Sequence, residues 1–87
     1  MISLSGSSRA SAGSLYCVTA TNVQSGLSAR AYVAGQSVAV TITHDPSSHT
    51  ATICVKIPRG LKGGVEIQAT DSSTPAYVSH SALITGS

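Results

Sequence analysis

Hydrophobic positions recur along this chain at every second residue. From Leu15 to Val23, Tyr16, Val18 and Ala20 share one face and Thr19 and Thr21 the other. Leu27, Ala29, Ala31 and Val33 then alternate with Ser28, Arg30 and Tyr32. A strand from Gln36 to His44 is the clearest of the set, with Val38, Val40 and Ile42 inward and Ala39, Thr41 and Thr43 outward. The pattern continues with Ala51, Ile53, Val55 and Ile57 in 49–57, and with Val65, Ile67 and Ala69 in 64–70. It closes with Val78, His80, Ala82 and Ile84 in 77–85. A period of two marks β-strands with one buried face, and no stretch holds a helical period. Turn residues separate the runs: Ala34-Gly35, Asp45-Pro46-Ser47-Ser48, the Gly-rich tract 58–63 and the polar tract 71–75. Pro presets φ at a first central turn position, and Asp can bond back to its own backbone.

Six or seven short strands at a spacing of about 8–12 residues predict an all-β protein, a small antiparallel β-sandwich of immunoglobulin type. A small closed barrel is the alternative. Residues 1–14 are rich in Ser and Gly and read as a leader or a long first loop; Ile2 and Leu4 alternate with Ser3 and Ser5 and allow a short edge strand there. Residues 15–87 form the single sandwich domain in this reading. Met1–Ser14 has no apolar core and does not read as a signal peptide. No run approaches the ~20 apolar residues that span a bilayer.

Composition sharpens the class. Hydrophobic residues make up 41% of the 87-residue chain, enough for a core, while only 9% of residues are charged and Phe and Trp are absent. The core is therefore built from small aliphatic side chains, each burying little area at roughly 25 cal/mol per Å². A chain this short is marginal without further help. The net charge of +2 is scattered over five basic residues, without the basic stripe and stacking aromatics of a nucleic-acid binder.

Cys17 and Cys54 fit neither a zinc-ligand spacing nor a CxxC redox pair. An even count in a lightly charged short chain points to one disulfide and an oxidising compartment; two buried free thiols are the other reading. Cys54 shares its strand phase with Thr50, Thr52 and Lys56, on the outer face. A bridge there ties a surface or an edge, unless a bulge shifts the phase.

The segment from Ala31 to Ile42 (AYVAGQSVAVTI) and the later segment from Lys62 to Asp71 (KGGVEIQATD) resemble the core of reeler-type domains. Those secreted β-sandwiches carry a Y-x-P-G-Q-x-x-x-V-T-I strand and later a G-F-x-x-Q-A-x-D strand. The likeness covers about a quarter of the chain; Ala34 stands where Pro is usual, and Gly64 where Phe is usual. The resemblance implies a secreted immunoglobulin-like sandwich in an extracellular or host-defence setting and brings no catalytic residues with it.

Four residue sets could carry chemistry. His44, His49 and His80 fall in the inward phase, and His44 and His49 flank one turn; three imidazoles could hold Zn²⁺ or Cu²⁺, whereas strand-end histidines are more often half-buried polar caps. Lys56, Arg59 and Lys62 bracket the loop Gly60–Gly64, which could present N–H groups to an anion or serve as a solubilised hairpin connection. Tyr16, Tyr32 and Tyr77 could form a contact patch or supply the aromatic bulk of the core. The pairs Thr19/Thr21, Thr41/Thr43 and Thr50/Thr52 each place two hydroxyls on one strand face, as ice-binding proteins do, although Thr is also the ordinary solvent-facing strand residue. No Ser lies in a GxSxG elbow, and the chain has three carboxylates, so an enzyme is not expected.

The leading expectation is a small secreted, disulfide-stapled binding module of effector, toxin-like or defence type. It would recognise a protein or a glycan and need no cofactor. The alternatives are a structural, decoration or adhesin-type β-module that packs against copies of itself, and a His-based metal-binding protein.

Overall fold

The computed structural model describes residues 1–86. Nine strands form, and no helix is present among the described residues: β1 (Ser3–Ser5), β2 (Arg9–Ser11), β3 (Leu15–Thr21), β4 (Ser28–Val33), β5 (Gln36–Val38), β6 (Thr41–Asp45), β7 (Thr50–Lys56), β8 (Gly64–Thr70) and β9 (Val78–Thr85). They make a four-stranded sheet, β1-β3-β7-β6, and a five-stranded sheet, β2-β9-β8-β4-β5. Every pairing is antiparallel except β2 with β9. This is the strand order A-B-E-D and G-F-C of an immunoglobulin sandwich, with β5 added beside C and the first strand divided between the sheets. Both sheets keep open edges, so the closed barrel is not formed.

The alternation in the sequence becomes the two inner faces. Tyr16, Val18, Ala20, Ala51, Ile53 and Val55 from one sheet meet Ala31, Val33, Val65, Ile67, Ala69 and Ala82 from the other, all buried. Fully burying an Ile such as Ile53 or Ile67 contributes about 1.5–3 kcal/mol, and the alanines correspondingly less.

Two expectations need correction. The predicted strand Gln36–His44 is two strands in different sheets. β5 pairs with β4, β6 pairs with β7, and Ala39-Val40 carries the chain across between them. Alternation alone cannot show this, because a strand that changes sheets keeps its period of two. Ile42, expected inside, is 37% exposed on the edge strand β6.

Residues 1–14 are the second case, although the short edge strand expected there does form as β1. They supply an edge strand to each sheet, β1 beside β3 and β2 beside β9, with Ile2 and Ala10 in the core. The chain crosses at Gly6, where an added Cβ would lie 3.0 Å from Val18 Cγ1 and 3.3 Å from the Cys17 carbonyl oxygen. The Ser/Gly composition that suggests a loose leader is what permits this close crossing. The described part of 15–87 and these first residues thus share one core; the end of that predicted span, residue 87, lies outside the described residues.

The turn Ala34-Gly35 joins Val33 to Gln36, with φ of 51° and 82°. Both central residues are left-handed, which is the type I′ hairpin that favours Asn-Gly. Ala34 has no side-chain bond to compensate for the left-handed backbone. Ala34→Asn is expected to stabilise the domain by about 0.5–1 kcal/mol. A thermal melt checks this, and an unchanged or lower midpoint would count against the assignment of strain to Ala34.

Candidate functional site

Cys17 and Cys54 are bridged. They face each other across β3 and β7, neighbours in one sheet, on its outer side. The antibody-type bridge instead joins the two sheets through the core. The outward phase of Cys54 therefore holds, and no bulge intervenes.

The outer face of this sheet also gathers all three Thr-x-Thr pairs. Thr19, Thr52 and Thr43 lie level across β3, β7 and β6, and Thr21 lies level with Thr50. With the bridge it is an almost uncharged face, bounded by Asp45 and Lys56.

The three histidines are not brought together, and no group of three His, Cys, Asp or Glu is placed to hold a metal ion among the described residues. His80 stacks on Tyr16, ring centroids 6.5 Å apart, with its Nε2 3.2 Å from the Ser7 carbonyl oxygen. His44 is level with Ala51 and Ala20, at the other end of β3 from Tyr16. His49 lies in the β6–β7 turn with φ of 54°; its carbonyl accepts from Val23 N–H and its Nδ1 is 3.3 Å from the Val23 carbonyl oxygen. Two of the rings border a small hollow with Pro46 and 23–25, and the third is a packing residue.

Of the basic residues around the Gly-rich loop, Lys56, Arg59 and Lys62 are all exposed. Arg59 lies along Gly13, where an added Cβ would come within 2.8 Å of its Nε. It covers the turn between β2 and β3, which gives this side chain a structural task.

The tyrosines separate. Tyr16 is a core residue, its hydroxyl donating to the Ser7 carbonyl, and burial pushes its pKa up. Tyr32 and Tyr77 are on the outer face of the five-stranded sheet. Tyr77 is exposed, with the Arg30 guanidinium 4.0 Å above its ring. Arg30 Nε donates to Gln68 Oε1, and Gln68 Nε2 donates to Glu66 Oε2. This polar chain leads from Tyr77 towards Tyr32, which is level with Glu66 and Ser81.

Beside Tyr32 the face opens into a hollow of about 620 Å³. Its floor is Gly64, in the outward phase of β8 and directly opposite Leu83 on β9. Leu83 in turn is level with Arg9 on β2. The missing side chain at Gly64 leaves a gap between Tyr32 on β4 and Leu83 on β9, whose strands lie two spacings or about 10 Å apart, the two residues being offset by two positions along them. Leu83 is 67% exposed. The walls thus offer an aromatic plate, an aliphatic side chain, a guanidinium and a carboxylate around a bare backbone floor.

Sequence reasoning named Tyr32 and missed the hollow. The signal was present: Leu83 is an apolar residue in an outward phase, and Gly64 is a glycine in an outward phase one strand away. Their alignment depends on the β8–β9 register, which local patterning does not give. Compared with known proteins, the chain matches no protein-family model and no curated protein.

Proposed function

We infer that this protein is a small disulfide-stapled binding module whose recognition surface is the outer face of the five-stranded sheet. It works outside the reducing cytosol and acts by contact rather than by catalysis, on a protein or a glycan. The observation that carries the reading is the Gly64-floored hollow. Leu83 and the bare Gly64 backbone together leave an open, partly apolar concavity on a solvent face, the form a binding site takes. Tyr32 can lie against an apolar side chain or a sugar ring, and Arg9 and Glu66 supply directional polar contacts. The oxidising setting is supported by the bridge itself, since structural disulfides persist mainly in secreted and surface proteins. An effector, toxin-like or defence role fits such a module.

The test is to probe printed glycan and peptide arrays, then to map each hit by amide chemical shifts. Perturbations centred on Tyr32, Gly64, Glu66 and Leu83 are expected; hits that map only to the opposite sheet would refute the site. Gly64→Val raises the floor of the hollow and narrows the gap between Tyr32 and Leu83. Its Cβ would sit 3.3 Å from the Ala82 carbonyl oxygen, which asks for a shift of a few tenths of an ångström. The variant is expected to fold with a melting point close to that of the parent and to lose the mapped binding. Retention of full affinity would count against the hollow.

A further inference from the structure

β6 is an edge of the four-stranded sheet, five residues long and exposed throughout. One flank pairs with β7, and the other is open among the described residues. Natural edges are usually blunted by Lys, Pro, bulges or brevity. Thr41-Ile42-Thr43-His44-Asp45 contains no Lys, Arg or Pro, and its register with β7 runs without a bulge. The edge strands β1, β2 and β5 have three residues each, and β2 carries Arg9.

The register also settles which backbone groups of β6 are free. The Cys17 and Cys54 Cα atoms are 4.1 Å apart, the close spacing of a non-hydrogen-bonded antiparallel pair. The Cys54 N–H and C=O therefore point away from β3, towards Thr41, its partner on β6. Thr41, Thr43 and Asp45 thus direct their backbone groups to β7. Ile42 and His44 direct theirs outward.

We propose that β6 is a docking edge for a second copy of this chain, paired antiparallel about a twofold axis at Thr43. In that register Ile42 lies opposite His44 of the second copy, and His44 opposite its Ile42. The four residues whose backbone groups point outward thus bond one another in reciprocal pairs. The two Thr43 side chains meet at the close, non-hydrogen-bonded position, where paired threonines are favourable. Asp45 faces Thr41 of the second copy, so no like charges are opposed. Ile42, 37% exposed, gains a neighbour. The result is one continuous sheet formed by two four-stranded halves. A five-residue edge buries far less than the ~1,200 Å² of a stable interface, so the dimer forms between high-micromolar and millimolar concentration. The hollow lies on the other sheet, and neither proposal depends on the other.

Sedimentation velocity of the full chain from micromolar to millimolar concentration, with amide hydrogen exchange, tests this. Wild type is expected to dimerise, with the Ile42 and His44 amides gaining protection as concentration rises. Thr43→Lys and Thr43→Glu each place like charges together at the axis and are expected to weaken association roughly tenfold. An equimolar mixture of the two restores it. Ile42→Pro removes only an outward N–H and serves as a second variant if the charged ones do not fold. A wild type that stays monomeric at millimolar concentration, protection that grows elsewhere, or folded variants that associate as wild type does would each overturn the proposal.

Discussion

Removing the bridge by Cys17→Ser with Cys54→Ser is expected to cost about 3–4 kcal/mol. The bridge closes a span of 37 residues from β3 to β7. In the chain-entropy account it acts mostly on the unfolded chain, by forbidding conformations in which these strands separate. The native contacts change little, because the sulfurs lie on the solvent side and the core residues Val18 and Ile53 pack without them. A domain of this size has only about 5–10 kcal/mol of stability in total, so the loss is a large share of it. The expected melting point falls by roughly 15–25 °C, with the folded variant keeping its β-sheet spectrum. A drop of only a few degrees would mean that the unfolded chain already holds β3 and β7 together.

Asp71→Ala is expected to cost about 3 kcal/mol, from the loss of hydrogen bonds to a charged acceptor. Asp71 is buried just past the end of β8 and holds four donors. Its Oδ2 accepts from Gln24 N–H at 2.7 Å. Its Oδ1 accepts from Ser73 N–H, the Ser73 hydroxyl and the Thr74 hydroxyl. Thr74 Oγ1 in turn accepts from Ile2 N–H at 3.0 Å. One carboxylate therefore ties the β3–β4 loop, the β8–β9 turn and, through Thr74, the residue just before β1 together. Burial works against its ionisation, but the bonds from Gln24, Thr74 and Ser73 outweigh it and hold the pKa far below the usual carboxylate range.

The sign for pH follows from that direction. A group with a depressed native pKa contributes its full stability above its unfolded value of about 3.9, and the contribution is lost as pH falls through the native value. The melting point of wild type should therefore decline below about pH 4. Asp45 acts in the same direction: the Ser47 hydroxyl, the Ser48 hydroxyl and Ser47 N–H lower its pKa. In Asp71→Asn the titrating carboxyl is gone and the acid slope is shallower. Parallel melting-point curves for the two proteins between neutral and acid pH would remove Asp71 as the cause.

Sequence alone determined the all-β class and the inward faces of β3, β4, β7, β8 and β9. Val18, Ile53, Val55 and Ile67 could be assigned to the core because side chains alternate strictly along a strand and apolar area leaves water. The outward phase of Cys54 and the turn at Asp45 were legible for the same local reason. The Asp45 carboxylate does bond back to Ser47 N–H, as an Asp at a turn should. The sharing of residues 36–45 between two sheets was not legible, nor was the sheet crossing at Gly6. Both depend on which strand lies next to which, and the period of two is blind to that.

The candidate sites divide along the same line. Tyr16, Tyr32 and Tyr77 are equivalent as letters; packing sends one into the core and leaves two on a face. The histidines look like a cluster only while their strands are imagined side by side. The hollow exists because the pairing of β4, β8 and β9 sets Tyr32 diagonally across from Gly64 and Leu83, and the edge of β6 is open because none of the other described residues pairs with it. Such juxtapositions arise from long-range pairing, which tertiary structure alone decides.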